Sequence, residues 1–218
     1  MKVVAFNGSP RRKGNTSILI NEIFQILQSE GIETEQIQLG NKLVHGCTAC
    51  GKCKEIQNEK CHIKNDHLNF CIEKMIEADG IIIGSPVYFS DVTTEVKALI
   101  DVAGYVTRAN GHLLKRKVGA GVIAVRRGGA LHTFESLNNF FLINQMIVPG
   151  SSYWNFAFGK DPGDVLNDEE GMQTIKTLGE NMAWLLKKVN GQDLPSLSLS
   201  TDSSQSSDIW KDAEKNLA

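Results

Sequence analysis

The sequence predicts an α/β protein built on a doubly wound sheet of five parallel strands, in the order 2-1-3-4-5, with helices on both faces. Short runs rich in Val and Ile alternate with longer segments in which apolar residues recur every three or four positions. Such alternation builds βαβ units, and successive βαβ units form a parallel sheet. Ligands of these sheets bind beyond the carboxyl ends of the strands, so the loops at that edge are the first candidates for a site.

Each predicted strand is a short apolar run bounded by polar or glycine-containing segments. Gly80–Gly84 is almost unbroken in its apolar character, as expected for a strand that is buried on both faces. Ile32–Leu39 alternates apolar and polar residues, which indicates a position at or near an edge of the sheet. In chain order the predicted strands are Val3–Phe6, Ile32–Leu39, Gly80–Gly84, Val118–Val125 and Met146–Pro149.

Five segments between or after these strands carry helical periodicity. In the first of them, Leu19, Ile23 and Leu27 recur at intervals of four residues. Cys71 lies on the apolar side of the second, so we expect it in the core. The predicted helices are Thr16–Ser29, Asp66–Ala78, Thr93–Val106, Thr133–Gln145 and Asp168–Lys188.

The chain of 218 residues suits one domain with an appendage. We expect residues 1–190 to form this domain, with a cysteine-rich insertion at residues 44–64. Residues 191–218 are rich in Ser, Thr and Asp, and this composition makes the segment a poor core former.

Composition argues against several classes of function. There are 23 Lys and Arg against 25 Asp and Glu, for a net charge of −2, so nothing favours binding to nucleic acid or to an anionic membrane. No apolar run approaches the roughly 18 residues needed to span a bilayer. Met1 and Lys2 lead directly into the first strand without the apolar region of a signal peptide, and we therefore expect a cytoplasmic protein.

The loop after the first strand has the composition of a phosphate-binding loop. It ends a strand at Asn7 and opens a helix near Thr16, where exposed backbone N–H groups and the helix dipole favour a phosphate dianion. An ordinary polar turn with a helix N-cap is the competing interpretation. The candidate phosphate ligands are Ser9, Arg11, Asn15, Thr16 and Ser17.

Four of the five cysteines form a dense run, Cys47-x2-Cys50-x2-Cys53-x7-Cys61. Three closely spaced thiolates and a fourth nearby can surround a [4Fe–4S] cluster. A zinc site is an alternative, although structural zinc sites usually use two separated C-x2-C pairs. A redox-active dithiol, or thiols that hold no metal, are the remaining interpretations.

The motifs resemble those of a known family. The segment that contains Gly8, Ser9, Pro10, Arg11, Gly14, Asn15 and Thr16 is similar to the FMN-phosphate loop of the NAD(P)H-dependent FMN reductases, a branch of the flavodoxin-like superfamily. The resemblance continues in Gly84–Phe89, Arg126–Gly129 and Pro149–Asn155. With the cysteine run included, residues 1–190 resemble the iron–sulfur flavoproteins.

This resemblance implies a flavodoxin-like fold and two further FMN-binding loops, for which a strand-to-helix turn and a solvated basic turn are the structural alternatives. The implied flavin contacts are Pro86, Val87, Tyr88 and Phe89 in one loop, and Arg126, Arg127, Gly128 and Gly129 in the other. Tyr88 and Trp154 are candidates for the wall of an acceptor pocket.

The implied function is an FMN-dependent oxidoreductase. If a [4Fe–4S] cluster is present, a ferredoxin-like one-electron donor is expected; if it is absent, NAD(P)H is the expected reductant. A quinone, dioxygen or a similar small molecule is the expected acceptor, and a homodimer or homotetramer the expected assembly. An electron carrier or redox sensor with no dedicated substrate is the alternative function.

Overall fold

The computed structural model describes residues 1–63 and 67–190. Its centre is a five-stranded sheet in the order β2-β1-β3-β4-β5, and every neighbouring pair of strands is parallel. The predicted fold class and strand order are therefore confirmed. The strands are β1 Lys2–Asn7, β2 Glu33–Gln38, β3 Gly80–Pro86, β4 Val118–Val125 and β5 Phe156–Phe158.

Six α-helices and one short 3-10 helix, Asp164–Asn167, connect the strands within the described residues. The first and last α-helices pack on one face of the sheet, and the third, fourth and fifth pack on the other. The second was not predicted and lies in the cysteine-rich insertion. The α-helices are α1 Asn15–Ser29, α2 Lys52–Ile56, α3 Leu68–Glu77, α4 Thr94–Ala109, α5 Ala130–Ile143 and α6 Glu169–Asn190.

The prediction of the fifth strand at Met146–Pro149 was wrong. Ile147 makes only an isolated parallel bridge to Val118, at the start of β4. Pro149 has no N–H group to continue the ladder, and the chain leaves the edge of the sheet there. Pairing resumes at Phe156, nine positions after Ile147, where Phe156 meets Ile123 near the other end of β4.

Three predicted segments extend beyond the described part of the chain. The helix predicted at Asp66–Ala78 is observed as α3, whereas Asp66 itself lies outside the described residues. Lys64, the last residue of the predicted insertion at 44–64, and the predicted tail at 191–218 also lie outside them. Cys71 is fully buried in the core, as expected. Over residues 1–63 and 67–190, the structure contains no helix with the length and apolar character of a membrane span.

A partly buried lysine joins α3 to the start of β4. Lys117 Nζ donates hydrogen bonds to the carbonyl oxygens of Ile76 at 2.8 Å and Ala78 at 2.5 Å. Burial lowers the pKa of this ammonium group below its ordinary value. The two carbonyl oxygens therefore offset part of the cost of removing a charge from water.

Hydrogen bonds between loops assemble the carboxyl edge of the sheet. The Gly8 N–H donates to Gly84 O at 2.8 Å, which ties the end of β1 to the end of β3. Val87 N donates to Ala124 O at 3.0 Å, and Gly159 N donates to Val125 O at 2.8 Å. The loops that follow β1, β3 and β4 are thereby held side by side.

Candidate functional site

The loop between β1 and α1 is folded by its own hydrogen bonds. Asn7 Oδ1 accepts from Ser9 N at 3.0 Å, and Ser9 Oγ accepts from Arg11 N at 3.2 Å. Gly14 N then donates to Arg11 O at 3.0 Å. These turns bring the chain back to the amino end of α1, as the sequence predicts for a phosphate loop.

Thr16 supplies a hydroxyl group that lacks a partner at this helix end. Its side chain is 1% exposed, and no described residue forms a hydrogen bond with Oγ1. Gly14 at the N-cap has no side chain that could accept from the N–H groups of the first turn. These N–H groups have no partner within the helix and point out of its amino end. A phosphate group fits this arrangement, because its oxygens would accept from both the hydroxyl and the backbone.

Asn15 and Ser17, also predicted as phosphate ligands, form hydrogen bonds with protein groups in the structure. Asn15 Nδ2 donates to Asp161 O at 3.0 Å, while Asn15 Oδ1 accepts from Gly163 N at 2.8 Å. Ser17 Oγ accepts from Gln36 Nε2 at 3.0 Å. Asn15 thus fixes the segment 160–163 beside the loop, a role that a local sequence pattern does not reveal.

Arg11 is exposed and lies across the same loop. Its Nη1 donates to Lys160 O at 3.4 Å. This contact leaves the other guanidinium nitrogens available, so Arg11 can offset the charge of a phosphate as the sequence suggested.

The loop after β3 closes in a tight turn. Tyr88 N donates to Asp91 O at 2.8 Å, and Asp91 N donates to Tyr88 O at 3.0 Å. The two residues between them, Phe89 and Ser90, have φ angles of 48° and 66°. Non-glycine residues in this left-handed region cost about 1–2 kcal/mol each, and paired strain of this kind is typical of functional loops.

This turn presents aromatic surface to solvent. Phe89 is fully exposed and Tyr88 is half exposed. Exposed aromatic rings beside the carboxyl edge are available to a flat ligand. Pro86 and Val87 are partly buried at the base of the loop.

The loop after β4 packs directly against this turn. Gly129 has a φ of 89°, and a Cβ atom built on it would lie 2.7 Å from Ser90 Cα and 2.9 Å from Val87 Cγ1. Only glycine avoids both the clash and the conformational strain at this position. Arg126, Arg127 and Gly128 are exposed beside it, so the predicted second and third loops form one surface.

Asp91 joins the same turn to α5. Ser136 Oγ donates to Asp91 Oδ1 at 2.7 Å, and His132 Nε2 lies 3.6 Å from Asp91 Oδ2. The sequence does not predict this contact, because residues 91 and 136 lie 45 positions apart and form no local motif.

The four clustered cysteines line one cavity of about 860 Å³. Cys47 and Cys50 are exposed at its edge, whereas Cys53 and Cys61 are partly buried. Helices α4 and α5 form the opposite wall. The structure therefore brings the four predicted metal ligands to a common space.

Two asparagines that the sequence analysis missed hold the insertion in place. Asn69 Oδ1 accepts from Cys61 N at 2.7 Å, and Asn69 Nδ2 donates to Cys61 O at 2.9 Å. Asn110, at the end of α4, accepts from Glu59 N at 3.0 Å and donates to Cys53 O at 3.4 Å. Both side chains bond the backbone next to candidate ligands, as supporting residues of metal sites commonly do.

The thiol of Cys50 is tuned toward ionisation. The backbone N–H of Lys52, more than any other group, lowers its pKa from the ordinary value. The thiolate is the form that binds metals, so this effect favours a ligand role.

The cysteine set is compatible with an iron–sulfur cluster, in which each thiolate binds a different iron atom. Within residues 1–63 and 67–190, no three His, Cys, Asp or Glu side chains lie close enough to hold one ion. A cluster instead requires four thiolates around a shared space, and the four cysteines line the same cavity.

The two candidate centres are neighbours. Ser136 lines the cysteine cavity and also donates to Asp91, which closes the turn after β3. The Ser136 side chain therefore contacts both the cysteine cavity and the loop after β3.

A five-stranded parallel sheet of this order with helices on both faces defines a flavodoxin-like protein. Residues 1–161 match the NADPH-dependent FMN reductase family, and the chain belongs to that family. It is 42% identical over 196 residues to an iron–sulfur flavoprotein of Methanocaldococcus jannaschii, a match that covers 87% of this chain and 99% of the relative.

Solved structures share the fold. RosB superimposes with a TM-score of 0.72 at 17% identity, covering 98% of this chain and 87% of that chain. A flavodoxin from the domain Archaea superimposes with a TM-score of 0.56 at 15% identity, covering 86% and 99%.

Proposed function

We propose that this protein is an FMN-dependent oxidoreductase in which Cys47, Cys50, Cys53 and Cys61 hold a [4Fe–4S] cluster beside the flavin. The observation that carries the proposal is that these four cysteines line one cavity. Ser136, in the wall of this cavity, donates a hydrogen bond to Asp91 in the loop after β3. Family membership and the iron–sulfur flavoprotein relative support both cofactors.

The chain's own groups account for binding of FMN. The Thr16 hydroxyl and the first N–H groups of α1 hold the phosphate, with Arg11 offsetting its charge. The joined loops at Val87–Ser90 and Arg126–Gly129 support the flavin ring, and the arginines favour an anionic ring. When bound, FMN supplies the exchange between two-electron and one-electron chemistry.

The cysteine insertion would receive electrons at its exposed edge. Cys47 and Cys50 lie at the surface, where a ferredoxin-like one-electron donor can approach. Asn69 and Asn110 hold the loop rigidly, which limits reorganisation around a cluster. The acceptor is proposed to be a quinone, dioxygen or a similar small molecule, and NAD(P)H is the proposed reductant where the cluster is absent.

A homodimer or homotetramer is part of this proposal. Tyr105 of α4 and Leu142 and Ile143 of α5 are large apolar side chains that are more than half exposed. Contiguous apolar surface on neighbouring helices is typical of an interface. The assembly is proposed to act in the cytoplasm.

The test is the content of iron, acid-labile sulfide and zinc per FMN in protein purified without oxygen. About four iron and four sulfide per flavin are expected for one cluster. Cys53→Ala should remove the iron and leave FMN bound. Cys71→Ala is the matched control, because Cys71 is buried in the core and should leave the iron content unchanged.

Other results separate the alternatives. Protein that contains flavin but no iron would show that the cysteines are thiols without a metal or ligands of zinc. Protein that contains no flavin would contradict the main proposal. An electron carrier or redox sensor would be reduced rapidly by ferredoxin, yet turn over slowly with NAD(P)H and a generic acceptor.

A further inference from the structure

The turn between Tyr88 and Asp91 has a shape that its own residue types do not favour. Its two central residues, Phe89 and Ser90, have φ angles of 48° and 66°. Positive φ at both central positions is typical of a type I′ turn, which favours Asn, Asp and Gly. Packing does not offset the strain at Phe89, because this side chain is fully exposed. Strained turns persist only where the surrounding structure holds them.

The Asp91 carboxylate is one of the groups that hold this turn. Its Oδ1 accepts hydrogen bonds from Ser136 Oγ at 2.7 Å and from Val92 N at 2.7 Å. Its Oδ2 lies 3.6 Å from His132 Nε2. Ser136 and His132 both belong to α5, so the carboxylate fastens the end of the turn to a helix.

Of the two contacts to α5, the hydrogen bond from Ser136 is the stronger. His132 is 64% exposed at its side chain and attracts Asp91 only when it is protonated. Exposed ion pairs contribute little, because water and salt screen them. The bond from Ser136 is short and ends on a charged acceptor, and Ser136 is only partly exposed. Ser136 is therefore the main anchor of the carboxylate.

Backbone contacts hold the rest of the loop. Gly129 packs so closely on the turn that a Cβ atom there would lie 2.7 Å from Ser90 Cα. Val87 N donates to Ala124 O at 3.0 Å, which fixes the start of the loop. Asp91 completes this support with a side chain, so its contribution can be removed without a change to the backbone contacts.

The turn that is held in this way presents aromatic surface for a ligand. Phe89 is fully exposed and Tyr88 is half exposed, beside the exposed Arg126 and Arg127 of the neighbouring loop. A flat ring that lies against these side chains would bury area that the unliganded chain leaves in water. A turn that is already ordered lowers the cost of binding such a ring.

We propose that Asp91 is a positioning residue for the flavin ring: its carboxylate, bonded to Ser136, holds the Tyr88–Asp91 turn in the shape that contacts the ring. Asp91 acts through the backbone of the turn. This inference rests on the proposed function, because it names the side chain that orders the ring support of the same oxidoreductase.

The test separates the flavin ring from its phosphate. Full-length protein freed of flavin is titrated with FMN and with riboflavin, which has the same ring and no phosphate group. Asp91→Ala should raise the Kd of both flavins about tenfold or more, because binding must then order a relaxed turn. Thr16→Val, in the phosphate loop, should raise the Kd of FMN and leave that of riboflavin unchanged.

Variants of α5 test the anchor of the carboxylate. Ser136→Ala removes the donor and should raise both Kd values about threefold to tenfold. Ser136→Thr keeps the hydroxyl group and should restore most of the affinity. His132→Gln should change either Kd by less than about twofold, because the pair is exposed. Glu135→Ala is the matched control, since Glu135 is exposed next to Ser136 on the same helix.

Amide hydrogen exchange of the flavin-free protein measures the turn itself. The N–H groups of Tyr88 and Asp91 donate to each other's carbonyl oxygens, at 2.8 Å and 3.0 Å. Both amides should exchange at least about threefold faster in Asp91→Ala and in Ser136→Ala, since local opening of the turn exposes them. The amide of Ile82, buried in β3, should keep its rate and thereby show that the sheet is intact.

Faster exchange in the turn together with weaker binding of both flavins supports the inference. Unchanged exchange would overturn it, because Asp91 would not hold the turn. Faster exchange with unchanged riboflavin affinity would also overturn it, because the turn would not serve the ring; FMN binding retained in these two cases leaves the proposed function standing. Unaltered protein that binds neither flavin would contradict the proposed function, and this inference with it.

Discussion

Gly129 lies against the backbone of Ser90, so closely that a Cβ atom on Gly129 would come within 2.7 Å of Ser90 Cα. The two residues belong to loops that follow different strands, β4 and β3. Their contact makes one surface from two loops, and any group added between them must push the loops apart. The proposed support of the flavin ring therefore depends on glycine, which has no side chain, at position 129.

Gly129→Ala should weaken FMN binding about tenfold or more. The added methyl group clashes with Ser90 and Val87, and the φ of 89° strains any side chain by about 1–2 kcal/mol. Titration of the apoprotein with FMN measures the change. Gly128→Ala is the control, because a Cβ there meets no atom within 4 Å. Equal FMN affinity of the two variants would contradict the role of the contact.

Thr16→Val should weaken FMN binding about tenfold to a hundredfold, since a hydrogen bond to a charged group contributes about 1.5–3 kcal/mol. The same change should leave the apoprotein as stable or more stable, because Thr16 Oγ1 is buried without a described partner. FMN titration measures the loss of affinity, and urea unfolding of the apoprotein measures whether its stability is unchanged or higher.

Thr16→Ser keeps the hydroxyl group and should retain most of the affinity for FMN. If Thr16→Val binds FMN as tightly as the unchanged protein, the hydroxyl does not contact the phosphate and the assignment of this loop is wrong.

The sequence predicted the architecture well because strands and helices have local signatures. The periodicity of Thr16–Ser29 and the apolar run at Gly80–Gly84 correspond to α1 and β3. The run at Met146–Pro149 misled the prediction, since local hydrophobicity does not reveal that pairing stops after Ile147. The fifth strand forms only at Phe156–Phe158, after the chain has left the edge of the sheet at Pro149.

The positions of the loops in the candidate site could be predicted from the sequence, whereas the hydrogen bonds between their side chains could not. The positions of the loops follow from the strand order, so grouping them at one edge required only topology. That Asn15 would bind Asp161 and Gly163, while Thr16 kept its hydroxyl unpaired, depends on residues nearly 150 positions away. Asn69 contacts Cys61, 8 positions away, and Asn110 contacts Glu59 and Cys53, 51 and 57 positions away, and neither set of contacts forms a local motif.

Glu35→Gln should remove a small, pH-dependent part of the stability. A hydrogen bond from Lys2, the largest cause, lowers the pKa of Glu35 below 4.5, and the charge of Lys74 adds to the effect. Since the folded-state pKa is lowered, the stabilisation is fully present above pH 4.5 and is lost as the pH falls through the folded value. The pair is partly exposed, so about 0.2–1 kcal/mol is expected.

Urea unfolding at neutral pH and near pH 3 measures this difference. The free energies of unfolding of the two proteins should differ at neutral pH and converge in acid. Glu33→Gln is the control, because Glu33 is 72% exposed at its side chain and lies 3.7 Å from Lys2 Nζ. A difference that grows in acid would contradict the assigned sign.

Asn69→Ala should lower the iron content without changing FMN affinity. Asn69 bonds both the N–H and the carbonyl group of Cys61, at 2.7 Å and 2.9 Å, and its loss frees the backbone of the fourth proposed ligand. Loss of a supporting residue typically weakens metal binding about tenfold to a hundredfold. The measurement is the rate of iron release to a chelator from protein purified without oxygen.

Glu73→Ala is the matched control for this variant, because Glu73 is exposed on the same helix, α3. Faster iron release from Asn69→Ala than from Glu73→Ala, at equal FMN content, separates support of the ligand from general weakening of α3. Equal release from the two variants would show that Cys61 is either held by other groups or is not a ligand. Iron analysis of Cys61→Ala decides between these two outcomes, since only a ligand is required for full occupancy.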